Sequence, residues 1–174
     1  MKVPIENKRF LKAYKQFSDD IFRYCLYKTR DRDLALDITQ ETFTKTWEYL
    51  VEGREIKNIR AFLYKVAYHL IVDGSRKKKS FSLDELSEQG VDFGEDKSAN
   101  LINKFDGEKI LEILDKIDIK YREIVIMRYV EDFSIKEISK IINETENNVS
   151  VRIHRGLEKL KKILNDHENN RRKI

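Results

Sequence analysis

Apolar residues recur along this chain at three- and four-residue steps, the spacing that gathers them on one side of an α-helix. Between Ile5 and Lys28 the repeat is Phe10, Tyr14, Phe17, Ile21 and Tyr24, which predicts one helix with a single buried stripe. From Asp33 to Leu50 the repeat is Leu34, Ile38, Phe43, Trp47 and Leu50, less regular but still one-sided. Gly53 follows in the segment VEGREIKN, which reads as a connecting loop over Val51–Asn58. A third helix is expected from about Asn58 to Arg76, with Phe62, Leu63, Val66, Ala67, Leu70 and Ile71 inward, ending at Gly74-Ser75 and the run Arg76–Lys79. Three helices with short connections predict one bundle.

The second half of the chain reads differently. Residues 80–107 include the strip FSLDELSEQGVDFGEDKSANLINKFDG, which carries scattered apolar residues and no sustained period, so it reads as a flexible linker. A helix from about Lys109 to Ile117 would present Ile110, Leu111 and Leu114, and one from Lys120 to Val130 would present Tyr121, Ile124, Val125 and Tyr129. Ser134-Ile-Lys-Glu137 is a capping box, in which the serine oxygen accepts an orphan amide and the glutamate answers it. It opens a short helix with Ile135, Ile138, Ile141 and Ile142 inward. Asn143-Glu144 supplies a turn, and Thr145 is placed to cap a last helix from Glu146 to about Asn165. A short capped helix, a tight turn and a longer basic helix make the helix-turn-helix pattern, which any αα-hairpin can imitate.

Composition narrows the fold class. One proline (Pro4) and six glycines leave little turn chemistry for a multi-stranded sheet, so the expected class is all-α. Charged residues make up 38% of the chain, an excess that suits small helical units with much surface and little interior. The net charge of +4 divides into +7 over residues 1–79, −5 over 80–107 and +2 over 108–174. The expected organisation is therefore two small helical domains, 1–79 and 108–174, joined by an acidic linker at 80–107. Basic, acidic and basic blocks in that order are compatible with nucleic-acid binding and with many ordinary proteins. The single cysteine, Cys25, cannot form an internal disulfide and reads as a small buried apolar residue beside Tyr24 and Leu26. No run approaches the roughly 20 apolar residues of a membrane span, and no signal-peptide pattern opens the chain, so a soluble cytoplasmic protein is expected.

Three polar faces carry candidate chemistry. On the last helix Val149, Ile153, Gly156, Leu157 and Leu160 share the inward arc, and Asn147, Asn148, Val151, His154 and Arg155 lie opposite, with Arg152 at the flank. Arginine reads guanine and asparagine reads adenine through paired hydrogen bonds in the major groove, and Val151 would suit a thymine methyl. A merely solvated face has the same pattern. Lys159, Lys161 and Lys162 suit phosphates, or equally the helix dipole. The second helix exposes Asp37, Gln40, Glu41, Thr44 and Lys45, a docking patch for a positively charged partner. The same carboxylates could hold a metal, but no second cluster of ligand spacing completes a site. The third helix carries Arg60, Tyr64, Lys65, Tyr68 and His69. Aromatics interleaved with cations suit single-stranded DNA, and Tyr64 and Tyr68 could equally cover the edge of the core.

These residues resemble a known family, the extracytoplasmic-function (ECF) sigma factors of bacterial RNA polymerase. LALDITQETFTKTWEYL resembles the family's polymerase-binding helix with its acidic-x-x-Gln-Glu-x-Phe core. IRAFLYKVAYHLIVDGSRKKK resembles the adjoining segment that melts and reads the minus-ten element, and YREIVIMRYVEDFSIKEISKIINETENNVSVRIHRGLEKLKK resembles the domain that reads the minus-thirty-five element. The resemblance implies that Asp37, Gln40, Glu41 and Thr44 meet the basic clamp helices of the polymerase's largest subunit. It implies that Lys57 and Asn58, in a loop receiving a flipped base, join Arg60, Tyr64, Lys65, Tyr68 and His69 along the melted minus-ten strand. It further implies that Asn147, Asn148, Val151, Arg152, His154 and Arg155 face the minus-thirty-five duplex. Phe62 stands where the family often has Trp, His69 where Asn is frequent, and Val151 where a small polar residue is usual; the last two bear on which promoter is read.

On this reading the partners are core polymerase and promoter DNA, with an anti-sigma factor as a further candidate; no cofactor, metal or catalytic residue is implied, and the protein is no enzyme. A stand-alone helix-turn-helix regulator is the alternative, against which the first domain argues. A metal-dependent hydrolase using Asp37, Glu41 and His69 would need side chains from two different helices to converge.

Overall fold

Helix-forming periodicity becomes helix throughout the described part of the chain. The structure, a computed structural model, describes residues 5–78 and 114–171, with side chains over 7–74 and 114–166. Among these residues every regular element is a helix: α1 (Ile5–Thr29), α2 (Arg32–Val51), α3 (Ile59–Lys78), α4 (Ile119–Tyr129), α5 (Ile135–Ile142) and α6 (Glu146–Arg171). The all-α class and the helix-turn-helix at α5–α6 stand as expected. The acidic stretch 80–107 lies outside the described residues, as does most of the helix expected over Lys109–Ile117. The chain divides into two compact units, Met1–Glu85 and Leu86–Ile174.

In the first unit α1, α2 and α3 all pack against one another. Its core is built from Ala13, Ile21, Tyr24 and Cys25 of α1, Ala35, Phe43 and Leu50 of α2, and Leu63, Tyr64, Ala67 and Ile71 of α3. Tyr14 was expected in the buried stripe of α1 and is 48% exposed; Leu34 of α2 is likewise on the surface. Thr42 and Thr46 take inward places on α2. They can do so because each hydroxyl donates to the carbonyl one turn back, Ile38 O and Thr42 O, both at 2.7 Å, so neither buried hydroxyl lacks a partner. On α3 the inward arc is rotated toward Leu63, Tyr64, Ala67 and Ile71, leaving Phe62, Val66 and Leu70 half-buried. The helix runs through Gly74 to Lys78, two residues beyond the expected end at about Arg76.

The second unit packs α6 against α4 and α5, with Leu114, Ile124, Val125, Met127, Phe133, Ile138 and Ile141 enclosed. The connection from α4 to α5 is fixed by its own backbone. Glu131 N donates to Ile126 O and Phe133 N to Met127 O, each at 2.9 Å, around Asp132 in a left-handed conformation (φ 54°). Phe133 then drops into the core, and Arg128 donates to its carbonyl at 3.2 Å.

Candidate nucleic-acid interface

The helix-turn-helix is assembled from local signals. Ser134 Oγ accepts from Glu137 N at 3.2 Å, and Glu137 accepts from Ser134 N at 2.9 Å, the reciprocal pair of the capping box. Asn143 closes α5 in the left-handed conformation (φ 59°, ψ 45°), one that asparagine tolerates better than most residues. Thr145 Oγ1 accepts from Asn148 N at 3.2 Å and starts α6. Gly156 then lets α6 approach α4 closely: a β-carbon there would lie 2.7 Å from Val125 Cγ2 and 3.4 Å from Tyr121 Cβ.

Of the six residues assigned to duplex reading, Asn147, His154 and Arg155 are exposed and Asn148 is half-buried. His154 Nε2 lies 3.3 Å from Glu158 Oε1. Val151 departs from expectation. It is 2% exposed, so its isopropyl group is enclosed by protein and cannot meet a thymine methyl in this state. The helical wheel puts Val151 opposite the main stripe, but an apolar side chain gains by leaving water wherever a neighbour can cover it. Arg152 also turns inward, onto Glu144 and the main chain of Lys120. Lys161 and Lys162 are exposed, while Lys159 pairs with Asp118 at 3.4 Å.

In the first unit the loop between α2 and α3 is pinned at three points. Gly53, at φ +76°, donates to Leu50 O at 3.1 Å and Arg54 N to Tyr49 O at 3.3 Å, a Schellman close of α2 that favours glycine at this position. Ile56 is buried in the core, and Arg9 of α1 donates to its carbonyl oxygen. Asn58 caps α3, its Oδ1 accepting from Ala61 N at 3.0 Å. Sequence pattern marked the loop but not Ile56 or Arg9, since one apolar residue in a polar segment has no period to betray it. Lys57, Asn58 and Lys65 are exposed, and Arg60, Tyr68 and His69 are half-buried.

The placing of Tyr64 along the minus-ten strand, which the resemblance implies, is corrected: it is fully buried (0% exposed). Its ring lies 5.1 Å from that of Tyr24, and the Arg60 guanidinium sits 5.4 Å from its centroid. A large aromatic at this position fills the space between α1 and α3 and cannot stack on a base. Tyr68 stays partly accessible, with the His69 ring edge-on at 5.4 Å and Lys28 Nζ 5.9 Å from its centroid.

Asp37, Gln40, Glu41 and Thr44 are all exposed on α2. Glu41 pairs with Lys45 at 3.1 Å, and Thr44 Oγ1 donates to Gln40 O at 3.0 Å. Gln40 and Thr44 form one wall of an apolar groove of about 590 Å³ that Leu11, Tyr14 and Trp47 also line. The groove was not foreseen, because the aromatic stripe of α1 is wider than the core it covers. Asp37, Glu41 and His69 do not come together in any group of three acidic, histidine or cysteine side chains among the described residues.

Among the described residues, a three-helix unit followed by a capped helix-turn-helix unit defines a two-part helical protein. The family model described as Sigma-70 region 2 matches residues 13–81, and the one described as Sigma-70, region 4 matches residues 107–160. The ECF RNA polymerase sigma factor SigW of Bacillus subtilis is 30% identical over 165 residues, covering 86% of each chain. The RNA polymerase sigma factor SigV of the same organism is 28% identical over 138 residues, 79% of this chain and 80% of that one. The fold is shared with the sigma factor RpoE of Bartonella quintana, solved in complex with the anti-sigma factor NepR, at a TM-score of 0.66 and 17% identity over 91% of this chain and 98% of that one. The chain belongs to the ECF family of RNA polymerase sigma factors.

Proposed function

We propose that this protein binds core RNA polymerase, directs it to promoter DNA and helps to open the duplex there. The observation that carries the reading is the pairing of region 2, on the three-helix unit, with region 4, on the helix-turn-helix, in one chain. Asp37, Gln40, Glu41 and Thr44 dock on the basic clamp helices of the polymerase's largest subunit, and the apolar groove beside Gln40 and Thr44 extends that surface. Lys57, Asn58, Arg60, Lys65, Tyr68 and His69 line the separated minus-ten strand, where rings stack on bases and cations hold phosphates. Tyr64 belongs to the core beneath them. Asn147, Asn148, His154 and Arg155 read the minus-thirty-five duplex.

The protein acts by binding and positioning, without a catalytic residue or cofactor of its own, and works in the cytoplasm, where polymerase and DNA are. No described helix is long and apolar enough to cross a membrane. An anti-sigma factor is a further expected partner, as RpoE of Bartonella quintana was solved with one. Strand opening tests this reading against that of a duplex-binding regulator. Polymerase reconstituted with this chain should render minus-ten thymines of a supercoiled promoter reactive to permanganate, and core polymerase alone should not. Binding of the chain to the same promoter with no thymine exposed would contradict it.

A further inference from the structure

The Arg152 side chain is only 18% exposed, and its fork is already engaged. Nη1 meets Glu144 Oε1 at 2.6 Å, and Nη2 donates to the main-chain oxygen of Lys120 at 2.6 Å. These partners belong to different elements. Glu144 lies in the turn of the helix-turn-helix, directly after left-handed Asn143, and Lys120 is in the first turn of α4. One planar guanidinium thus ties α6, the turn before it and the start of α4 together, each acceptor taking a separate nitrogen of the fork. One turn further along α6, Gly156 brings its backbone against Tyr121 and Val125 of the same helix α4. Two successive levels of contact fix how the first half of α6 leans on α4, and Asn147, Asn148, His154 and Arg155 project from that half.

We propose that Arg152 is a positioning residue: it sets the pose of the DNA-reading helix through Glu144 and the Lys120 carbonyl, and touches neither base nor phosphate itself. To reach DNA it would have to give up two short charge-assisted hydrogen bonds and leave Glu144 without its cation. This inference rests on α6 being the helix that reads the duplex.

The test uses the full chain and a 30-base-pair duplex enriched by the wild-type protein from a random library, with affinity measured over a range of salt at a temperature where circular dichroism shows each variant folded. Arg152→Ala should weaken binding by about tenfold, a middle value for groups acting through one network. The dependence of log affinity on log salt should keep its slope. Glu144→Gln should weaken binding in the same direction, although it removes a negative charge, and the double variant should be no worse than Arg152→Ala alone. Arg152→Lys should recover part of the loss, since it keeps the charge beside Glu144.

A direct DNA contact makes opposite demands. Glu144→Gln would strengthen binding by releasing Arg152 and removing an acid, and Arg152→Ala would lower the salt slope by about one. Either result, or an Arg152→Ala affinity equal to wild type, overturns the inference. If Arg152→Ala fails to fold, the sign of the Glu144→Gln effect decides alone. Arg155→Ala is the control for the underlying reading: if it too leaves affinity and base preference unchanged, α6 is not the reading helix, and the failure lies there.

Discussion

Burial sets the chemistry of Cys25. With no exposed surface, its thiol is pushed up to about 11 from an ordinary 9.0 by desolvation, against a smaller opposing hydrogen bond with Thr39. At neutral pH it is therefore a protonated, enclosed and inert group, as its place beside Tyr24 suggested. The sign of the pH effect follows: between pH 9 and 11 the unfolded chain loses a proton that the folded chain keeps, so stability falls as pH rises through that window. Cys25→Ala should remove a loss of roughly 2–3 kcal/mol across it, read by urea unfolding at pH 8 and pH 11. An identical alkaline loss in the variant would show that other groups carry it.

Tyrosines 64 and 68 show where single residues were not legible in the sequence. Both lie on α3, four residues apart, with the same kind of neighbours in the chain, and only the three-dimensional packing of α1 separates core from surface. Tyr64→Ala should cost about 3–5 kcal/mol of stability, whereas Tyr68→Ala should cost far less and weaken capture of single-stranded minus-ten DNA. Equal losses of stability in a urea melt would contradict the division. On α6, Arg155→Ala should relax base choice at one promoter position, with about 1–3 kcal/mol of discrimination lost, and Lys161→Ala should weaken binding evenly across sequences. A promoter-variant screen that cannot tell the two apart would count against this assignment of faces.

Helix ends were easier to read than helix faces, because a cap is local and a face is not. Ser134-Ile-Lys-Glu137 announced the start of α5, and the structure holds both of its hydrogen bonds. Ser134→Ala should lower the stability of the helix-turn-helix unit by about 1 kcal/mol, measured by thermal unfolding. Faces depend on partners: Thr42 and Thr46 count as polar in any pattern, yet they are buried because their hydroxyls return to the backbone. Gly156 was placed inward correctly, though its closeness to α4 could not be foreseen from spacing. Gly156→Ala ordinarily gains about 1 kcal/mol in a helix, but here the new methyl meets the stiff, β-branched Val125. Overpacking of this kind costs about 1–3 kcal/mol, so the substitution should destabilise the unit, and a raised melting temperature would show that α6 can lift away freely.

For the whole molecule, the order of blocks along the chain was more legible than any single residue. A basic three-helix unit and a helix-turn-helix unit were both readable from periodicity, while the role of each needed the resemblance to the sigma family. Docking belongs to this scale. Asp37 and Glu41 stand one turn apart on the exposed face of α2, so reversing both to lysine would set like charges against a basic partner and could cost several kcal/mol of polymerase affinity. Circular dichroism should show the helices intact, and a pull-down equal to wild type would move the docking surface elsewhere. The most direct measurement of the central claim is transcription itself, with purified core polymerase and a genomic promoter library, in the presence and absence of this chain. The protein should switch on a defined set of start sites sharing minus-thirty-five and minus-ten elements at fixed spacing, and lose them with the Asp37→Lys, Glu41→Lys double variant. The same start sites with and without the chain would contradict the account.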